Sequence, residues 1–141
     1  MNDTTGERYE LYPIGLVESP LADRAAAPRQ GGQGSPNAWL VLDPAVAEGI
    51  SDLRAGTEIL VLTWLDRADR TVLRTRPGGR PEAPEAGVFS TRSPDRPNPI
   101  GLHRVRVAAV AGTRILVRGL EALDRTPVID IKPVIDWRLE S

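Results

Sequence analysis

The residues best equipped for chemistry stand in one short run, Ser90-Thr91-Arg92-Ser93-Pro94-Asp95-Arg96-Pro97-Asn98-Pro99. Arg92 and Arg96 bring forked donors, Asp95 a carboxylate, Asn98 an amide, and Ser90 and Ser93 hydroxyls. Pro94, Pro97 and Pro99 each hold φ near −65° and push the preceding residue toward extended geometry, so the run Gly87 to Gly101 is expected to be neither helix nor regular central strand. A loop stiffened in this way loses little entropy when a ligand orders it. It is therefore either a recognition hook or a solvated surface loop whose arginines bind their own carbonyls. The other reactive side chains are few. The chain has no cysteine, which excludes disulfides, thiolate metal sites and a cysteine nucleophile, and its one histidine, His103, cannot form a metal cluster alone. His103 is either a general base titrating near neutrality or a partly exposed spectator on a strand.

Charge narrows the partners. A net charge of −1 and a pI near 5.9 argue against a surface that grips nucleic acid by bulk electrostatics, so any RNA must be held by a local patch. All 18 basic residues except Lys132 are arginine. Gly32-Gln33-Gly34 lacks the third glycine and following helix of a dinucleotide site. No apolar run approaches a membrane span and the N-terminus lacks a signal-peptide core, so the protein is expected in the cytoplasm and away from membranes.

The elements that must position these residues are short. Residues 1–10 read as a flexible tail and 11–138 as one domain. Tyr12 to Ser19 reads as a strand in which Gly15 marks a bulge or close backbone approach. Residues 23–37 form a long loop. Ala38 to Leu42 is a strand, and Pro44 to Leu53 a helical turn or short helix. Thr57 to Leu65 is a continuous apolar strand expected in the core, ending in the charged turn Asp66 to Arg70 and followed by a short strand at Thr71 to Arg74. Residues 75–86 read as a mobile connection. Leu102 to Val110 alternates, with Val105, Val107 and Ala109 on one side and Arg104 and Arg106 on the other. Ala111-Gly112 then turns the chain into Thr113 to Val117 as a hairpin. Val128 to Ile131 is the last strand, with Trp137 packed at the closing edge. With connections too short for βαβ crossovers, the expected fold is all-β: a small, mainly antiparallel β-barrel with one or two short helices at most.

The run Thr91 to Leu102 resembles the signature of the TrmO (TsaA-like) methyltransferases, small β-barrel proteins that use S-adenosylmethionine without a Rossmann sheet. Tyr12-Pro-Ile-Gly15, Pro28-Arg29-Gln30 and Asp124-Arg-Thr-Pro-Val-Ile-Asp-Ile-Lys-Pro133 resemble the family's other blocks, in order. The resemblance implies that Pro28, Arg29, Gln30, Asp66, Arg67, Arg92, Leu102, Asp124, Arg125, Thr126 and Pro127 contact S-adenosyl-L-methionine, with no metal. It also implies a homodimer with the cofactor near the interface. Many relatives carry histidine where Asp66 stands and glycine where Arg125 stands.

The activity implied by this resemblance is N6-methylation of N6-threonylcarbamoyladenosine beside the anticodon, at position 37, of tRNA. The alternatives are methylation of a small metabolite by the same barrel and a non-catalytic domain that binds the cofactor. Methyl transfer from a sulfonium needs a nitrogen lone pair held about 3–3.5 Å from the carbon, so the protein must chiefly position its partners. Arg96, Asn98 and Lys132 are candidates for holding the substrate. Asp66, Asp124, Asp130 and His103 are candidates for removing the proton, with Asp130 and Lys132 alternatively a structural ion pair.

Overall fold

The computed structural model describes residues 6–20 and 37–135; Pro28, Arg29, Gln30, Trp137 and nearly all of the 23–37 loop lie outside them. Among the described residues eight strands are formed: β1 (Gly15–Glu18), β2 (Ala38–Leu42), β3 (Glu58–Trp64), β4 (Arg74–Thr75), β5 (Ala86–Gly87), β6 (Ile100–Ala111), β7 (Arg114–Arg118) and β8 (Pro127–Pro133). Six of them close into an antiparallel barrel in the order β1-β2-β7-β6-β3-β8, with β8 returning to β1, while β4 and β5 make a separate ribbon. The helices among the described residues are 3-10 turns at Pro44–Ile50, Pro77–Gly79 and Val88–Ser90. The expected all-β barrel is what forms.

The barrel interior is filled by the inward set of each strand's alternation: Val17, Leu40, Ile59, Val61, Val105, Val107, Ile115, Val117 and Val128, with Ile50 and Leu120 also buried. The apolar run of β3 suggests burial throughout, but its two faces differ. Ile59, Val61 and Thr63 point inward, whereas Leu60, Leu62 and Trp64 are half-buried on the outer face. On β6 the expected alternation holds for Val105 and Val107. A register shift between Val107 and Ala109 then pairs Ala109 with Leu116, on the outer side, so Ala109 leaves the inward set.

Gly15 is the close approach its position suggests: a Cβ there would overlap the Val41 carbonyl oxygen and come within 2.8 Å of Leu42 Cδ2. The strand expected at Thr71 to Arg74 does not form there, because Asp69 Oδ1 accepts from both Thr71 N (2.9 Å) and Thr71 Oγ1 (2.6 Å) and holds the chain in a turn. Pairing begins only at Arg74, and residues 75–86 fold back as the β4–β5 ribbon around the Pro77–Gly79 turn.

Register decides which loops meet. Trp64 pairs with Ile100 and Thr63 with both Gly101 and Val128. The end of β3, the start of β6 and the start of β8 therefore share one end of the barrel.

Candidate functional site

At that end lies a cleft of about 1010 Å3, walled by the turn after β3, the proline-rich run before β6, residues 76–79 and the segment leading to β8. Asp66, Arg67, Arg92, Leu102, Thr126, Arg96 and His103 all line it. The turn Asp124 to Thr126 straddles two clefts. Leu123 and Thr126 face the large one, while Asp124 and Arg125 line a shallower cleft of about 630 Å3 beside β1 and β2. Pro127 pairs with Leu16 as the first residue of β8 and lines neither cleft.

The hook is rigid for a reason beyond its prolines. Arg96 turns inward and donates through Nη2 to the carbonyls of Thr91 (2.8 Å) and Val88. Opposite it, Asp95 Oδ1 accepts from Asp69 N at 2.9 Å. Arg70 donates to the Pro97 carbonyl (2.6 Å) and Asn98 Oδ1 (3.0 Å), with its guanidinium 5.2 Å from the centroid of Trp64. The turn after β3 and the proline-rich run are thus clamped together, and Arg96 and Asn98 are engaged within the clamp. Arg92 is exposed and makes no hydrogen bond or ion pair with other described residues. Of the hook's two arginines, Arg96 binds the loop's own carbonyls and Arg92 does not.

His103 closes the inner wall. Gly101 makes room for it, since a Cβ there would overlap Thr63 Oγ1 and lie 2.7 Å from His103 Nε2. The ring shares a 2.8 Å hydrogen bond with the Thr63 hydroxyl, and burial lowers its pKa to about 4. The imidazole is therefore neutral at pH 7 and a weaker base than a free histidine, in contrast to the near-neutral titration that residue type alone suggests.

The other sequence candidates sit elsewhere. Asp130 and Lys132 form an ion pair of 2.8 Å. Asp130 pairs in register with Leu62 on the outer barrel face, away from the large cleft. Asp124 Oδ1 accepts from Ser19 N at 3.0 Å, tying the turn to the end of β1. Arg125 has φ +70° and donates its N–H to the Val17 carbonyl at 2.6 Å. A left-handed backbone at this position suits glycine, the residue that the family resemblance leads one to expect there.

Two contributors escape a reading of the sequence. Arg70 reads only as part of a charged turn, and its role depends on Trp64 and Pro97 arriving beside it. Glu121 lines the large cleft, with its carboxyl pKa raised by burial, yet it stands in an unremarkable Gly-Leu-Glu-Ala stretch with no local signal. Among the described residues no group of three or more His, Asp or Glu side chains is placed to hold a metal ion, and no helix is long and apolar enough to cross a membrane.

A closed antiparallel barrel with a cleft built from four segments at one end defines the class. Residues 16–137 match the sequence profile of the tRNA-methyltransferase O N-terminal domain, and the chain belongs to this TrmO family. It is 46% identical over 129 residues to an S-adenosyl-L-methionine-binding protein of Archaeoglobus fulgidus, covering 89% of this chain and 91% of the relative. A probable S-adenosyl-L-methionine-binding protein of Methanothermobacter thermautotrophicus is 45% identical, over 87% of this chain and 88% of its own length. A crystal structure of TrmO from Pseudomonas aeruginosa superposes with a TM-score of 0.75 at 29% identity, over 93% of this chain and 58% of that one. The chain thus spans a little over half of that crystallised protein.

Proposed function

We propose that this protein is an S-adenosyl-L-methionine-dependent N-methyltransferase that methylates N6 of N6-threonylcarbamoyladenosine at position 37 of tRNA. The observation that carries the reading is the convergence of Asp66, Arg67, Arg92, Leu102 and Thr126 on one cleft, from three separate stretches of chain. The profile match and the names of the relatives support it.

The cleft suits this cofactor. Arg92 has no partner among the described residues and offers a forked donor to the cofactor's carboxylate. Leu102 supplies an apolar wall, and the Thr126 hydroxyl is fixed by donation to the Leu123 carbonyl at 2.7 Å. When bound, the cofactor supplies a methyl group on a positively charged sulfur that leaves as a neutral thioether. The protein's task is to position the acceptor nitrogen and receive its proton. Asp66 is the sequence-derived carboxylate that lies in the cleft, and it makes no hydrogen bond or ion pair with other described residues, so it fits the proton-accepting role.

An extruded anticodon-loop base fits a cleft rimmed by Arg67, Arg76 and Arg92 better than it fits a broad basic face, which a net charge of −1 does not provide. Such a role puts the protein with tRNA in the cytoplasm. A homodimer accords with the same reading: Ile100 and Leu102, 41% and 46% exposed, stand on the outer face of β6 where the cleft opens, next to Leu62 and Trp64. The name shared by the relatives favours one second reading, a domain that binds the cofactor without transferring its methyl. Incubation with cofactor and tRNA carrying the threonylcarbamoyl modification, followed by nucleoside analysis, separates the two. A methylated nucleoside is expected; cofactor binding without any methylated product refutes the transferase reading.

A further inference from the structure

We propose that Glu121 is the residue of the cleft that holds the positive charge of S-adenosyl-L-methionine, and so distinguishes this cofactor from uncharged nucleosides. The inference rests on the reading that the large cleft is the cofactor site.

Glu121 lines the same cleft as Arg92, Leu102 and Thr126 but arrives from a different wall, the segment that leads into β8. Its neighbours Leu120 and Ala122 are both buried, 0% and 5% exposed, which anchors the backbone on either side and leaves the carboxyl at the cleft surface. Among the described residues it makes no ion pair and no hydrogen bond. Burial raises its pKa. A partly dehydrated carboxylate without a cation is costly in a folded protein and invites one from a ligand.

The other acidic groups of the cleft are differently placed. Asp95 is held against the Asp69 N–H within the loop clamp. Asp66 lies in the turn two residues after the end of β3, adjoins Arg67 and is the residue assigned to the acceptor's proton. Charge is therefore mixed on the hook and turn, where Asp66 adjoins Arg67 and Asp95 is held in the clamp, and solely negative on the β8 side, where Glu121 stands. A zwitterionic ligand with a carboxylate and a cationic centre matches that division: its carboxylate toward Arg92, its cation toward Glu121. A ligand without positive charge gains nothing from Glu121.

The test compares three nucleosides by calorimetric titration of the wild-type protein and Glu121→Gln. These are S-adenosylmethionine, with sulfonium and ammonium; S-adenosylhomocysteine, with ammonium alone; and 5′-methylthioadenosine, with neither. The isosteric amide is expected to weaken S-adenosylmethionine about 10-fold or more, the scale of a lost hydrogen bond or close contact to a charged group, and to leave methylthioadenosine within about 2-fold. The homocysteine arm assigns the cation: an equal loss there identifies the ammonium, an unchanged affinity the sulfonium. Unchanged methylthioadenosine binding also shows that the variant is folded. Equal losses for all three ligands, as a ribose contact would produce, overturn the proposal, as does no loss for any. If the wild-type protein binds none of the three, the cofactor reading falls and this inference with it; if it binds them and Glu121→Gln changes nothing, the inference alone falls.

Discussion

Acid should destabilise this protein through one imidazole. Burial lowers the His103 pKa from 6.5 to about 4, so the unfolded chain binds a proton at a pH where the folded chain does not. The sign is set by that difference: stability is unaffected above about pH 7.5, falls as pH drops through 6.5, and levels off below about 4 as the folded ring also protonates. The difference of about 2.5 pKa units corresponds to a maximum of about 3.4 kcal/mol, of which about 2 kcal/mol is already lost at pH 5. Carboxylates titrate over part of this range, so the comparison is with His103→Gln, which can still hydrogen-bond the Thr63 hydroxyl but cannot titrate. Urea unfolding of both proteins between pH 7.5 and 4 should show the wild-type advantage over the variant shrinking by about 2 kcal/mol at pH 5. Because the chain contains a single histidine, its ring resonances report the same group directly. A ring that titrates near 6.5, or a stability difference that is flat with pH, refutes a neutral imidazole held off water by its surroundings.

The remaining predictions concern the cleft and its supports. Arg92→Ala should weaken S-adenosylmethionine about 10-fold or more in calorimetry while leaving the melting temperature unchanged, since this exposed side chain has no partner among the described residues; unaltered affinity removes Arg92 from the site. Arg70→Ala should cost about 1–2 kcal/mol in urea unfolding and also weaken the cofactor, although Arg70 does not line the cleft, because the Pro97 carbonyl and Asn98 lose their clamp. Unaltered cofactor affinity would show that the hook holds its shape without that clamp. Gly101→Ala should destabilise by about 2 kcal/mol, since the added methyl collides with the Thr63 hydroxyl and the His103 ring, and a neutral outcome would refute that packing. Arg125→Gly should raise the melting temperature by about 3 °C by relieving a left-handed non-glycine backbone, and a lowered value would place the side chain's contacts above its strain.

The barrel is legible in the sequence because burial imposes alternation. Val105 and Val107, Leu40 and Leu42, and Ile115 and Val117 appear at period two and all face the core. Gly15 is legible for a similar reason, since a lone glycine in a strand signals close backbone approach. The position of β4 is not, because Asp69 captures Thr71 through a side chain, and a local hydrogen bond outweighs a weak β propensity. Alternation puts Ala109 on the wrong face because a bulge is a property of the pair β6–β7, not of β6 alone.

For the candidate site, composition and proline spacing by themselves determined that a rigid, arginine-bearing hook exists and that cysteine chemistry is absent. Only the tertiary structure decided that Arg96 turns in while Arg92 stays out, that Asp130 and Lys132 lie on the outer barrel face, and that Glu121 enters the cleft. The reason is one of range. Alternation and proline act over a few residues, whereas the cleft is assembled by antiparallel register, which brings Trp64 to Ile100 and Thr63 to Val128 across dozens of residues of intervening chain.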